Sequence, residues 1–184
     1  MPFNFSKKKD FIPKLNLPGD DVLDVIYETK LLGVIITSDL SWNAHIKYIT
    51  SNATQRLWMI IRFKNIGGTD EQLLRVYELR IRSLLEFSAP VFHSSLTDEQ
   101  TRKIEMVQKK ALAIILGQRY KSYETSLKHL SLEKLSTRRD HLFFKFAQKC
   151  TKDPHHSEMF PLNNNFRENM RNPKKFLEYH CRTS

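Results

Sequence analysis

The spacing of hydrophobic residues changes near residue 41, and this change separates two kinds of predicted structure. Before that point, Val22–Tyr27 and Leu31–Thr37 are rich in β-branched residues, and Phe3 and Phe5 alternate with polar neighbours. Runs of this kind are typical of strands. We expect the two longer runs to form an antiparallel hairpin with Glu28–Lys30 between them.

After residue 41 the apolar positions recur at helical spacing, beginning with Trp42 and Ile46. Capping residues and helix breakers divide this stretch into five predicted helices. Thr69 marks one of the starts, and the capping-box pair Thr97 and Gln100 marks another. The predicted helices cover residues 41–66, 69–89, 97–116, 122–130 and 131–149.

The predicted fold is mostly α, with a small antiparallel β-hairpin unit followed by a helical bundle and a loosely ordered tail. The hairpin unit covers residues 1–40 and the bundle covers residues 41–150. In the tail, residues 151–184, prolines and polar residues replace the helical period. The apolar stripes of the bundle include Ile61 in the first helix and Phe146 in the last.

Two features of the sequence bear on where the protein works. Its apolar runs are far shorter than the roughly 18 residues of a membrane span, so we expect no membrane partner. It has two cysteines, which cannot build a disulfide framework. We therefore expect an intracellular compartment, with nucleus and cytoplasm both open.

Positive charge is concentrated in one part of the chain. The net charge is +10, yet residues 1–100 hold twelve basic and twelve acidic residues, whereas residues 101–149 hold twelve and four. A regional excess of this kind is expected of a surface that binds a phosphate backbone, so we expect a nucleic-acid partner. A solvated helical surface without a ligand has the same composition, and that alternative stays open.

Basic residues of this region are the candidate nucleic-acid contacts. Tyr120 and Tyr123 lie among them and could stack on bases. The candidate contacts are Arg102, Lys103, Lys109, Lys110, Arg119, Lys121, Arg138 and Arg139.

Motifs for catalysis and metal binding are missing from the sequence. It contains no P-loop, no dinucleotide-binding fingerprint, no zinc-protease motif and no nucleophile elbow. His45 has no Ser, Cys or Asp partner nearby in sequence, and we expect a structural role for it beside Trp42. The adjacent Asp20 and Asp21, and the Cys and His residues from Cys150 onward, lack the spacing of a metal site. We assign no catalytic and no metal-binding residue.

Five stretches of the chain resemble one known family, in the same order and at the same spacing. They are KLLGV at 30–34, DLSWNAHI at 39–46, VYELRIRSLLEFSAPVF at 76–92, IEMVQKKALAIILG at 104–117 and LSTRRDHL at 135–142. Together they resemble the C-terminal part of the reverse transcriptases of non-LTR, LINE-type retrotransposons, nearest the jockey-like group. The resemblance covers essentially the whole chain.

The resemblance implies a role for each part of the predicted fold. In this family the polymerase palm ends in a hairpin with a Lys-x-Leu-Gly motif, the primer grip, whose counterparts here are Lys30, Leu32 and Gly33. A helical thumb follows and holds the primer–template duplex. The resemblance therefore makes residues 1–40 a palm remnant, makes the helices from Trp42 onward a thumb with its extension, and makes the partner an RNA–DNA hybrid or duplex.

One departure from the family decides what this chain can do alone. Nucleotidyl transfer in the family needs two metal ions held by palm aspartates, including those of a Tyr/Phe-x-Asp-Asp motif. The sequence has no such motif. We expect a fragment of an RNA-directed DNA polymerase that is inactive alone, with Mg²⁺ needed only by a full-length parent. A non-catalytic helical interaction or nucleic-acid-binding protein derived from such an element is the alternative.

Overall fold

The computed structural model describes residues 26–153. This range is mostly helical and opens with a two-stranded antiparallel hairpin, which confirms the predicted fold class. Several predicted features lie outside the described residues. They are the strand at Phe3 and Phe5, most of the run Val22–Tyr27, the pair Asp20 and Asp21, and the tail after Asp153.

The hairpin consists of β1 (Glu28–Leu31) and β2 (Val34–Thr37), joined by a tight turn at Leu32 and Gly33. Both turn residues have positive φ, 47° and 88°, as a two-residue turn that matches the strand twist requires. The prediction of Glu28–Lys30 as the connection is wrong, because these residues are paired in β1. Gly33 can adopt positive φ without strain, and this places the turn four residues later.

Seven α-helices follow within the described residues. They are α1 (Asn43–Asn65), α2 (Asp70–Tyr77), α3 (Ser83–Glu86), α4 (Ala89–Phe92), α5 (Asp98–Leu116), α6 (Tyr123–His129) and α7 (Leu135–Lys152). A π-helical segment, Glu78–Arg82, joins α2 to α3. Of the described residues, 26–140 belong to one compact unit and 141–153 belong to a second.

Local sequence explains most of the helix boundaries. Capping boxes at Thr69 and Thr97 start α2 and α5, which confirms both predicted starts. The helix that α2 begins ends at Glu86, near the predicted stop, and Pro90 lies in the first turn of α4. The first helix starts later than predicted, with Trp42 rather than Ser41 at its N-cap.

The core of the first unit is built mainly from one face of α1 and the helices packed on it. Every third or fourth residue of α1 is buried, from Ile46 to Ile60, and α5 presents a matching face. Ile61 and Phe146, which the helical spacing assigned to apolar stripes, are instead 44% and 52% exposed. Ile61 directly follows the buried Ile60, and one residue rotates a helix position by about 100°.

Candidate nucleic-acid interface

Helices α1 and α5 lie side by side and run in the same direction. Near their starts, the Gln100 side-chain amide donates a hydrogen bond to Asn43 Oδ1 over 2.8 Å. Near their ends, Lys64 Nζ donates to the carbonyl oxygens of Ile114 and Ile115 over 2.5 and 3.0 Å. These contacts fix the two helices along most of their length and leave an open groove between their outer faces.

The groove between α1 and α5 has basic rims and a polar wall. Its volume is about 370 Å³, and a neighbouring hollow of about 260 Å³ shares Lys47, Thr50 and Lys103 with it. No acidic side chain is among the described residues that line the groove. Its lining consists of Lys47, Thr50, Ser51, Thr54, Gln55, Lys103, Met106, Val107 and Lys110.

The groove lysines differ in how they are paired. Lys103 Nζ lies 2.8 Å from Glu99 Oε1 one turn earlier, in an exposed pair that lowers the pKa of the Glu99 carboxyl. Among residues 26–153, neither Lys47 nor Lys110 takes part in an ion pair. Both are exposed, so two of the three ammonium groups are available to an anion from solvent.

The hairpin places another lysine at the edge of this surface. Lys30 Nζ donates a hydrogen bond of 2.8 Å to the Tyr48 hydroxyl and lies 4.5 Å from the centre of its ring. This bond lowers the pKa of the Tyr48 hydroxyl. Tyr48 and Lys47 also line a hollow of about 400 Å³ together with Glu28 of β1. One predicted primer-grip residue, Lys30, is thereby next to the α1 surface.

The other two predicted primer-grip residues form the hairpin turn. Leu32 is 87% exposed at its tip. Gly33 faces the Phe87 ring, and a Cβ atom built on it would lie 3.0 Å from Phe87 Cε1. The turn therefore needs glycine for both its backbone angle and this close approach.

Arg139 is enclosed by the fold and cannot reach a ligand from solvent. The prediction of Arg139 as a nucleic-acid contact is therefore wrong. It is 1% exposed, and burial lowers the pKa of its guanidinium. Its three side-chain nitrogens have no hydrogen-bond partner. The negative charge of Glu105 acts on it and opposes the effect of burial. Arg139 sits on the face of α7 that points inward, one position away from its exposed neighbour Asp140.

Two other predicted contacts are held in ion pairs with carboxylates. Arg138 donates to both carboxylate oxygens of Glu86, over 2.5 and 3.1 Å, and this raises the pKa of its guanidinium. Arg119 donates from one nitrogen, Nη2, to both oxygens of Asp70 over 2.8 and 2.6 Å. Both arginines therefore already have an acidic partner, and the partner of Arg138 uses the two-nitrogen geometry that a phosphate would need.

The remaining predicted contacts are exposed but lie outside the groove lining. Arg102 and Lys121 are exposed, and Lys109 Nζ lies 5.0 Å from the centre of the Tyr123 ring. Tyr123 is buried, and its hydroxyl donates to Glu105. The prediction that Tyr123 could stack on a base is therefore wrong, because its ring is enclosed.

Sequence reasoning missed the contribution of α1 to this surface. Lys47, Thr50, Ser51 and Thr54 lie on the polar face of α1, but residues 1–100 have no net charge, and this hid Lys47. The helical period of α1 would have been enough to place these residues on the surface. It places Lys47, Ser51 and Thr54 on the side opposite the buried stripe.

His45 is a packed structural residue, as predicted. Its side chain is buried, with ring centres 6.1 Å from Trp42 and 5.1 Å from Phe92. The Ile35 backbone N–H donates to His45 Nδ1 over 3.4 Å, which ties β2 to α1. Burial lowers the pKa of the imidazole.

Searches for a metal site and a membrane-spanning helix among the described residues, and for related proteins, give no positive result. Residues 26–153 contain no cluster of three His, Cys, Asp or Glu side chains that could hold a metal ion. Within the same range, no helix is both long and apolar enough to cross a membrane. No family model, curated protein or solved structure compared with the chain gives a significant match.

Proposed function

We propose that this chain positions a nucleic-acid duplex, as the thumb-type part of a non-LTR reverse transcriptase. The chemistry would come from palm aspartates that have no counterpart in this sequence. The proposal joins the resemblance of five sequence stretches to one structural observation. That observation is the α1–α5 groove, whose rims carry Lys47, Lys103 and Lys110 with no acidic side chain among the described residues lining it.

The groove suits a sugar–phosphate backbone better than it suits a small molecule. It is open to solvent, and lysine ammonium groups along its rims would replace the counterions of a phosphate chain. Hydroxyl groups of Ser51 and Thr54 can donate to phosphate oxygens between them, whereas the Thr50 hydroxyl already donates to the Ile46 carbonyl oxygen over 2.6 Å. Contacts of this kind fix the register of a duplex without reading its sequence, as positioning requires.

A second candidate is a non-catalytic interaction protein derived from such an element. Apolar side chains on and beside the hairpin favour it, because Leu31, Leu32 and Leu40 are all exposed. Exposed apolar surface of this kind marks protein interfaces. In this case the binding partner would be a protein, and the groove lysines would be hydrated surface residues without a ligand.

A salt titration separates the two candidates. The binding constant for an RNA–DNA hybrid is measured by filter binding or anisotropy as salt is raised. For three lysine–phosphate contacts we expect log K to fall with log salt at a slope of about −2 to −3. A flat plot would contradict the duplex-positioning proposal. In a polymerase assay with Mg²⁺ and template–primer, we expect no nucleotide incorporation by this chain alone.

A further inference from the structure

Trp58 stands on the outward side of α1, one turn beyond the groove. It follows Gln55 and Thr54, which line the groove, by three and four residues. Side chains at this spacing are neighbours on one face of a helix. Leu57 and Ile60, which lie one residue before and two residues after Trp58, are buried on the other side. The groove surface therefore continues along α1 onto an indole ring.

The indole is unusually open for a tryptophan. Trp58 is 54% exposed, whereas the other tryptophan, Trp42, packs 6.0 Å from the Phe92 ring. The Arg62 guanidinium lies over one face of the Trp58 ring, 5.2 Å from its centre. Arg62 is itself exposed and lies one turn further along α1. An aromatic surface and a cation thus sit together at the end of a basic groove.

We infer that Trp58 and Arg62 form a stacking site for an unpaired base of a nucleic acid whose phosphates lie in the α1–α5 groove. This inference rests on the proposed function and gives it a preferred ligand, a duplex with a single-stranded extension. A base stacks on the part of the indole that Arg62 leaves uncovered, and the Arg62 guanidinium contacts the phosphate of that nucleotide. Base–aromatic stacking tolerates any sequence because every base has a π-face.

The groove chemistry selects this ligand over an acidic protein segment. Lysines at Lys47, Lys103 and Lys110 would attract either ligand, since both are anionic. A flat aromatic surface beside a guanidinium, however, complements a planar base and its phosphate. Carboxylates of an acidic peptide would gain nothing from the indole.

The test compares a blunt RNA–DNA hybrid with the same hybrid carrying a short single-stranded extension. We expect the extension to strengthen binding by the wild-type chain. Trp58→Ala should weaken binding of the extended hybrid by roughly 5- to 100-fold and leave blunt-hybrid binding unchanged. Trp58→Tyr should restore most of the loss. Phe144→Ala, which removes another exposed aromatic residue from α7, is the matched control and should change neither.

Two further measurements separate stacking from charge. Trp58→Ala should leave the slope of log K against log salt unchanged, because stacking releases no counterions. The extended hybrid should quench tryptophan fluorescence in the wild-type chain and much less in Trp58→Phe.

Each contrary outcome points to a different failure. If the wild-type chain binds neither hybrid, the proposed function is wrong and the inference falls with it. If both hybrids bind and Trp58→Ala loses nothing with the extended one, the stacking site is wrong while duplex positioning stands. If poly-glutamate displaces the extended hybrid from the wild-type chain but not from Trp58→Ala, the indole takes acidic protein instead.

Discussion

The α1–α5 groove and the start of α7 both contain basic residues, but those of the groove are exposed and those at the start of α7 are paired or enclosed. Lys47 and Lys110 stand exposed and outside any ion pair among the described residues. Arg138 is bound to Glu86, and Arg139 is enclosed beside the charge of Glu105. One region therefore presents positive charge to solvent, and the other encloses it, with Arg138 joining α7 to α3.

The difference follows from the side chains as well as from their positions. A guanidinium is planar and weakly hydrated, and it matches a carboxylate with two parallel hydrogen bonds. Arg138 can therefore be enclosed beside Glu86 at moderate cost. A lysine ammonium is compact and strongly hydrated, so Lys47 and Lys110 remain in water. Basic residues in a sequence are candidate ligand contacts only where the fold leaves them exposed and not bound to a carboxylate of another element.

Glu105→Ala gives the largest expected effect on the enclosed region. The Glu105 carboxylate accepts hydrogen bonds from Tyr123 Oη and from the Leu135 backbone N–H, and its charge offsets part of the cost of burying the Arg139 cation. Its loss removes the largest favourable charge acting on Arg139, and we expect the free energy of unfolding to fall by about 3 kcal/mol. Urea denaturation measures this. Exposed Glu124→Ala is the control, and a loss below about 1 kcal/mol at Glu105 would show that the region is not charge-balanced.

The two arginine–carboxylate pairs give the next contrast. Arg138 and Glu86 are mostly buried at their side chains, whereas Arg119 is largely exposed in its pair with Asp70. We expect Glu86→Ala to cost about 2 kcal/mol of unfolding free energy. Asp70→Ala should cost less than about 1 kcal/mol, because water screens the exposed pair. Equal losses at the two sites would remove the distinction between enclosed and exposed arginine.

His45 gives the smallest effect, and it appears as a pH dependence. Burial lowers the pKa of its imidazole below the ordinary value of 6.5, so the unfolded chain binds a proton more readily than the folded one. The contribution of His45 to stability is therefore fully present above pH 6.5 and is lost as the pH falls below that value. Protonation at Nδ1 would also break the bond from the Ile35 N–H.

Denaturation at several pH values checks this prediction. His45→Gln should remove part of the decline in stability between pH 7 and pH 5. His129→Gln, at an exposed position in α6, should leave the decline intact. If His45→Gln retained the whole decline, the enclosed imidazole would not be its source.

Sequence patterns predicted the helices better than the hairpin and the site. Thr69 and Thr97 each form a capping box with a residue three positions later. The starts of α2 and α5 could therefore be predicted from local sequence. The hairpin turn depends on positive φ at Leu32 and Gly33, which hydrophobic spacing does not contain.

Sequence patterns also predicted only some of the side chains of the candidate site. Lys103 and Lys110 were identified from the basic excess of their region, and both line the groove. Lys47 was missed because it belongs to a stretch with no net charge. The enclosure of Arg139 depends on helix packing, because Glu105 lies 34 positions earlier in the chain. Charge counts locate a basic region, and only the fold separates its exposed members from its buried ones.

A matched pair of triple variants tests the central claim most directly. One combines Lys47→Ala, Lys103→Ala and Lys110→Ala in the groove. The other combines Lys128→Ala, Lys134→Ala and Lys145→Ala, which removes the same charge from exposed positions elsewhere. The measurement is the slope of log K against log salt for an RNA–DNA hybrid. We predict that the groove variant loses about 2 to 3 units of slope, while the control keeps the wild-type slope. Equal slopes for the two variants would contradict a phosphate-binding groove between α1 and α5.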